Sequence, residues 1–339
     1  MHRIGLAGFG FMGQFHYNAY RELKNARVVA LFDADPRVFD KAPIQGNLGV
    51  ADLGDLRTIP KFSDYDKFLA HGCDVVDICT PTFIHRDLTE RALRSGRAVV
   101  VEKPMALSVA DCDAMIAAAK KAGRPLMGAQ CIRFWPGYEE IREAAAKGAY
   151  GKCLSATLRR IGGVPGWSGW FLDAARSGGG LLDVLVHDFD FLRACFGLPA
   201  AAAAAGIVDA HGPGSGISYC RAGLQYPGGP MAVTVEGGWM VGSGFPFSMT
   251  AFLQFEEATL GFGLESGAAL TVYRKGRQKE SPALSPEQGY VRELRYFLEC
   301  LDGNHALERC PPEESRDAIA MALAVRDSIL KGGAPMPLK

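Results

Sequence analysis

The stretch "RIGLAGFGFMGQFH", residues 3–16, decides how the rest of the chain is read. Residues 3–7 form a short apolar run of strand character. Gly8-Phe9-Gly10-Phe11-Met12-Gly13, a GxGxxG, follows at once, and a helical pattern continues over 13–24. Strand, glycine turn and helix in this order form a cradle for a diphosphate. The first glycine permits the tight turn, the second lets the backbone approach the phosphates, and the third lets helix and strand pack closely. The open helix end adds free N–H groups and a partial positive charge. With 41 glycines in the chain the motif alone is weak, so its context matters. A second strand over 28–32 ends in Asp33, at about the 20-residue spacing expected of the ribose-binding acid.

The alternation continues outward. Apolar runs at 75–79 and 98–101 are short, rich in β-branched or small residues, and bounded by Gly, Asp or Pro. Helical segments fall at 65–70, 86–95 and 108–122, with Ser108 as a candidate N-cap. Continuous apolar strands alternating with helices predict a parallel sheet covered on both faces, a doubly wound α/β domain over residues 1–122. Beyond it the texture changes. One more strand lies in "RPLMGAQCIRF" and a helix in "PGYEEIREAAAKGAYG". Period-2 segments then follow at 154–161, 218–226, 231–239, 249–255, 259–264 and 270–274. With helices at 178–195, 287–301 and 312–331, residues 123–339 read as a second α/β domain built on a large, open, mostly antiparallel sheet. The two domains are expected to share a cleft.

Bulk composition narrows the function. The 339 residues are 48% hydrophobic and 22% charged, with formal net charge +0. This gives no electrostatic case for nucleic acid or an anionic membrane as partner. No apolar run approaches the ~20 residues that span a bilayer, and no leader is expected before the first strand. Nine cysteines without a CxxC pair argue against a disulfide framework or structural zinc site, and fit a reducing cytoplasm.

The candidate cofactor contacts are Gly8, Gly10, Phe11, Met12 and Gly13 on the diphosphate and Asp33 on the adenosine ribose. Asp33, seconded by Asp35, repels a 2′-phosphate and favours NAD over NADP. Arg37 is the residue that would reverse this by reaching a phosphate. Lys103 precedes a proline, is therefore held extended, and sits with Glu102 at the carboxyl end of a strand, where such sheets bind ligands. Thr80, Pro81 and His85 occupy the same place one strand earlier. In "SGGGLLDVLVHDFDFL", residues 177–192, a helix places Asp183 and His187 on one face with Asp190 close by; Leu181, Leu185, Phe189 and Leu192 lie opposite as a core stripe. The spacing leaves two readings open: a catalytic pair, or a satisfied structural pair. The glycines at 178–180 allow close approach to a cofactor or a tight turn into the helix. Without an HExxH, and with Cys195 off that face, no metal site is expected. Phe134, Trp135, Trp167, Trp170 and Phe171 have rings suited to the apolar faces of sugars, or to a core. Arg133, Arg159, Arg160 and Arg176 can bind a carboxylate or hydroxyls.

Taken together, "GLAGFGFMG", "VVALFDADP", "DICTPTFIH", "VEKP", "IRFWP", "GWSGWFLDAARSGGGLLDVLVHDFD" and "SRDAIAMALAVRDSILKGG" resemble the glucose–fructose oxidoreductase/inositol 2-dehydrogenase/MocA family over nearly the whole length. The resemblance implies Lys103, Asp183 and His187 as the catalytic group, with Gln130 at the cofactor and Arg133 and Trp170 near the substrate. It also implies an open sheet whose exposed face makes a homodimer or homotetramer. Two departures stand out: Thr82, where many members carry Asn, and Gln130-Cys131-Ile132 before Arg133. The expected reaction moves a hydride between nicotinamide and a secondary alcohol or ketone of a sugar, inositol or related polyol. His187 would take the hydroxyl proton, Asp183 would orient it, and Lys103 would stabilise the reacting oxygen. The alternatives are an NAD-retaining glycoside-cleaving enzyme and a non-catalytic NAD or sugar sensor.

Overall fold

A computed structural model describes residues 1–338 except 47, 48, 167, 241, 243, 244, 265 and 266. The chain divides into two compact units. One comprises Met1–Gln130, Pro165–Ser168 and Tyr290–Arg316; the other comprises Cys131–Val164, Gly169–Gly289 and Asp317–Lys339.

In the first unit strands β1 (His2–Ala7), β2 (Ala26–Phe32), β3 (Lys61–Phe62), β4 (Val75–Ile78), β5 (Ala98–Glu102) and β6 (Leu126–Ala129) form a six-stranded sheet. The order is β3-β2-β1-β4-β5-β6, and every pairing is parallel. Chain order reverses between β1 and β4, the switch point at which doubly wound sheets bind ligands. Helices α1 (Phe11–Glu22), α2 (Tyr65–His71), α3 (His85–Arg94) and α4 (Val109–Ala122) connect the strands. Ile4, Leu6, Val75, Val76, Ile78 and Val99 to Val101 have no exposed surface, as the continuous apolar runs require. Ser108 caps α4 through Asp111 N–H, as expected.

The sixth parallel strand lies beyond the domain boundary expected at 122/123. The unit also takes back chain from far downstream, nearly all of α8 (Gly289–Leu301) and the start of α9 (Pro312–Leu330). There the Cys310 thiol donates to Gly128 O at 3.3 Å, and a Cβ on Gly128 would lie 2.5 Å from Ser315 Oγ. Only glycine lets the returning segment cover β6 this closely.

The second unit is built on an eight-stranded sheet. Its strands are β7 (Cys153–Gly163), β8 (Ala201–Val208), β9 (Ile217–Gln225), β10 (Ala232–Met240), β11 (Ser248–Phe255), β12 (Ala258–Gly263), β13 (Ala269–Arg274) and β14 (Met336–Pro337). The order is β13-β12-β11-β7-β10-β9-β8-β14, antiparallel except for β7 beside β10. Three further helices precede or enter the sheet: α5 (Tyr138–Lys147), α6 (Ala174–Ser177) and α7 (Gly179–Phe196). Helix α7 packs on β10, β9 and β7. The covered face buries Leu158, Val235, Ala251 and Leu253, whereas Phe252 and Tyr273 are half exposed. This is the inward–outward alternation of a sheet covered on one side.

Candidate functional site

The glycine loop has the expected construction. Gly8 adopts φ 91°. A Cβ there would lie 2.6 Å from the Cys79 carbonyl, so the turn is seated on the end of β4. A Cβ on Gly13 would lie 1.9 Å from Gly8 O, so this glycine serves helix–strand packing. Gly10 differs, because a Cβ there meets no atom of the described residues within 4 Å. Gly10 is the N-cap of α1, with no side chain capping that end and no acidic residue in its first turn. Open space, uncapped N–H groups and a helix dipole fit a diphosphate.

Asp33 is half buried at the end of β2. Its carboxylate accepts the Phe9 N–H at 2.9 Å and the Asp35 N–H at 3.0 Å, which leaves lone pairs for ribose hydroxyls. Arg37 is paired with Asp35 through Nε and Nη2, at 2.7 and 3.0 Å. The cation that would have welcomed a 2′-phosphate is thus held by a neighbouring carboxylate.

At the carboxyl ends of β4, β5 and β6 the expected residues separate into two groups. The Thr80 hydroxyl and both amide atoms of Gln130 are buried without a hydrogen-bond partner among the described residues. Buried polar groups are ordinarily satisfied, so these three atoms fit the polar edge of a bound dinucleotide. His85 and Glu102 instead face the protein. His85 is buried, with Nδ1 3.1 Å from Pro104 O and Nε2 2.8 Å from Thr80 O. It ties the ends of β4 and β5 together rather than presenting its ring to a cofactor. Burial pushes its pKa down, against the pull of the Thr80 carbonyl and Glu102. Glu102 is buried too; its Oε2 accepts the Lys103 N–H at 2.8 Å. Burial alone would raise its pKa, but His16 and Lys103 outweigh burial and hold it below the usual range. Lys103 is half buried and enters a cis peptide with Pro104.

In the second unit Asp183 and His187 stand apart on α7. From Leu181 to Leu192 they are the two residues that are not buried. The buried Trp239 on β10 donates its indole N–H to Asp183 Oδ2 at 3.3 Å. Asp190, expected on the same face, is buried instead and takes Arg133 in a two-pronged pair, both distances 2.7 Å. Arg133 was expected at the substrate, but its Nε and one Nη face this carboxylate. A second buried pair, Arg160 with Asp188 at 2.8 and 3.1 Å, holds the helix from β7. Burial pushes the Asp188 carboxyl up, and Arg160 opposes it. The glycines before α7 serve packing. A Cβ on Gly180 would lie 2.6 Å from Ser218 O, and Gly178 and Gly179 adopt φ 79° and 70°.

Phe134 and Phe171 are buried, so the core accounts for them, while Trp170 is half buried and stacks on Phe171 with centroids 4.1 Å apart. Trp167 lies outside the described residues. All nine cysteines are free thiols. No helix among the described residues is long and apolar enough to cross a membrane. Sequence reasoning overlooked Trp239, Asp188 and the buried His16 with its neighbour Asp77. None carries a local motif; each is recognisable only from the side chain packed against it.

Residues 2–129 match the family model described as "Oxidoreductase family, NAD-binding Rossmann fold", and residues 138–258 match the "GFO/IDH/MocA C-terminal domain". The inositol 2-dehydrogenase of Rhizobium meliloti is 33% identical over 213 residues, 61% of this chain and 59% of that protein. The D-apiose dehydrogenase of Paraburkholderia graminis is 37% identical over 147 residues, 43% of this chain and 36% of that protein. The chain thus spans between about a third and three fifths of the length of these curated relatives. The aldose–aldose oxidoreductase of Caulobacter crescentus superposes with TM-score 0.83 at 23% identity, covering 99% of both chains, which speaks for a shared fold.

Proposed function

The chain belongs to the glucose–fructose oxidoreductase/inositol 2-dehydrogenase/MocA family, and from that premise we propose that it is an NAD-dependent oxidoreductase acting on a secondary alcohol or ketone of a sugar, inositol or related polyol. One observation carries the assignment of its base: on an otherwise buried stretch of α7, Asp183 and His187 alone are left accessible. A titratable imidazole beside a carboxylate suits proton transfer at neutral pH. Bound NAD supplies the hydride acceptor. The chain's own residues do the remainder. His187 holds the proton removed from the substrate hydroxyl, and Asp183, fixed by the Trp239 indole, orients that imidazole or binds a neighbouring hydroxyl. Lys103, extended before Pro104, donates to the reacting oxygen and stabilises its developing charge. Glycines 8, 10 and 13, Phe11, Met12 and Asp33 hold the adenosine diphosphate half; Thr80, Pro81 and Gln130 border the other. Trp135 and Trp170, both half buried, are the remaining aromatic candidates for a sugar face.

The names of the two curated relatives, an inositol and an apiose dehydrogenase, support a polyhydroxylated substrate. The exposed sheet face with Phe252 and Tyr273 is proposed to bind a second copy of the chain, and free thiols suit a reducing compartment. The test is a panel of inositols, aldoses, sugar acids and amino-polyols with NAD and NADP in separate assays, read as NADH formation. On the best substrate, Lys103→Met and His187→Ala each lower turnover by at least ~100-fold, the scale of a positioned acid–base group. Wild-type rates in both variants would remove the mechanism. Tight NADH binding with no turnover across the panel would remove the enzymatic reading in favour of a sensor.

A further inference from the structure

Helix α1 carries His16 one turn beyond the glycine loop, with no exposed surface. Its Nδ1 lies 2.8 Å from Asp77 Oδ2 on β4, and its Nε2 lies 3.0 Å from Glu102 Oε1 on β5. Both carboxylates are buried as well. A neutral imidazole has one N–H and can face only one carboxylate productively, leaving its lone pair against the other. An imidazolium faces both, and it reduces two buried negative charges to one. The surroundings favour that form. Burial by itself disfavours the charged ring, but Asp77 and Cys79 outweigh it and hold the His16 pKa well above its usual value. The Tyr290 ring packs beside the imidazole, with centroids 5.9 Å apart.

We propose that His16 is a positioning residue that ties the cofactor-binding helix to Lys103, by clamping Asp77 and Glu102 beneath the carboxyl edge of the parallel sheet. The connections are short. Glu102 sets Oε1 3.0 Å from His16 Nε2, an ion-pair contact off the line of a hydrogen bond, and its Oε2 accepts the Lys103 N–H. On the other side, α1 presses Gly13 against Gly8, and Gly8 sits on Cys79. A helix held correctly at the diphosphate is therefore a helix that holds Glu102, and with it the backbone of Lys103. The effect on turnover rests on the oxidoreductase reading; the clamp itself does not.

Three measurements test it. In the wild-type protein, ring nitrogen NMR of labelled histidine should show His16 protonated at both nitrogens at pH 8, and Glu102→Gln should bring its titration down towards neutrality. Competitive acetylation read by mass spectrometry should show Lys103 changing reactivity severalfold in His16→Gln and Glu102→Gln, with the other lysines unchanged. On any substrate the panel yields, kcat should fall by at least ~10-fold while NADH affinity holds within about twofold, the signature of one lost charge-assisted contact acting on the lysine. A wild-type His16 that titrates near pH 6.5 would overturn the proposal, as would stoichiometric metal at the imidazole or unchanged Lys103 reactivity in folded variants. Parallel loss of kcat and NADH affinity would also overturn it, because it marks a structural defect. A panel without turnover sinks the enzymatic reading and leaves the first two measurements to judge the clamp.

Discussion

Gly10 and Gly13, three residues apart, make the sharpest test of the glycine loop: Gly10→Ala and Gly13→Ala add the same methyl group with different consequences. At Gly13 the new Cβ is placed 1.9 Å from Gly8 O, and contacts under 3.0 Å are essentially never seen, so helix and turn must separate by about 1 Å. Overpacking of this kind costs roughly 1–3 kcal/mol. At ~2–4 °C per kcal/mol for a domain of 150–250 residues, Tm should drop by several degrees. At Gly10 the Cβ meets no described atom within 4 Å, and the change is limited to a weaker N-cap, about 0.5–1 kcal/mol. On the proposed reading, that Cβ enters the space of the diphosphate. Losing one charge-assisted hydrogen bond there costs about 1.5–3 kcal/mol, or roughly 10- to 150-fold in Kd. Differential scanning calorimetry and an NADH fluorescence titration read the two effects separately. Gly10→Ala binding NADH as tightly as wild type, or Gly13→Ala keeping its Tm, would refute this account of the loop.

Other consequences follow from the same geometry. Asp33→Ser removes the charge proposed to face the ribose and should shift the NADP:NAD ratio of binding constants by at least ~10-fold towards NADP; the additional Arg37 contact becomes available only if Asp35, its partner, is replaced as well. Arg133→Met removes the cation that faces the buried Asp190 and should cost about 3–5 kcal/mol in a urea melt, whereas Arg133→Met with Asp190→Leu should recover most of it. His85 has its folded pKa pushed below the unfolded value, so its contribution to stability is complete above about pH 6.5 and is lost as pH falls towards the folded pKa. His85→Asn should flatten that part of the decline in Tm between pH 6.5 and 5; an unchanged profile would show that the ring is not held neutral.

The N-terminal half of the fold was legible because its signals are local. Five-residue apolar runs, a glycine turn and an acid at the next strand end lie within 33 residues of one another, and each is dictated by its own backbone chemistry. Six of the eight strands of the second sheet were legible as period-2 segments; β8 and β14 were not, nor was the order, in which β7 lies between β11 and β10. Pairing partners so far apart in sequence leave no periodic trace. The domain boundary was displaced for a similar reason: β6 needs cover, and the chain supplies it from residues 290–316.

The site divides in the same way. Helical periodicity by itself put Asp183 and His187 on one face, and the Lys-Pro pair by itself marked the end of β5. Periodicity also put Asp190 close to that face, but it could not show that the carboxylate is buried against an arginine 57 positions earlier. His16 and Asp77 look unremarkable in sequence, and Glu102 was expected at the ligand rather than at a histidine, since a buried charge declares itself only through its partners, and those come from three separate elements. What the sequence determined alone was therefore local: the glycine turn, Lys103 at the end of β5 and the half-buried pair on α7. Which charged groups are free for chemistry and which neutralise one another inside the protein was decided by the tertiary structure, because desolvation makes an unpaired buried charge intolerable and the pairing runs across the fold.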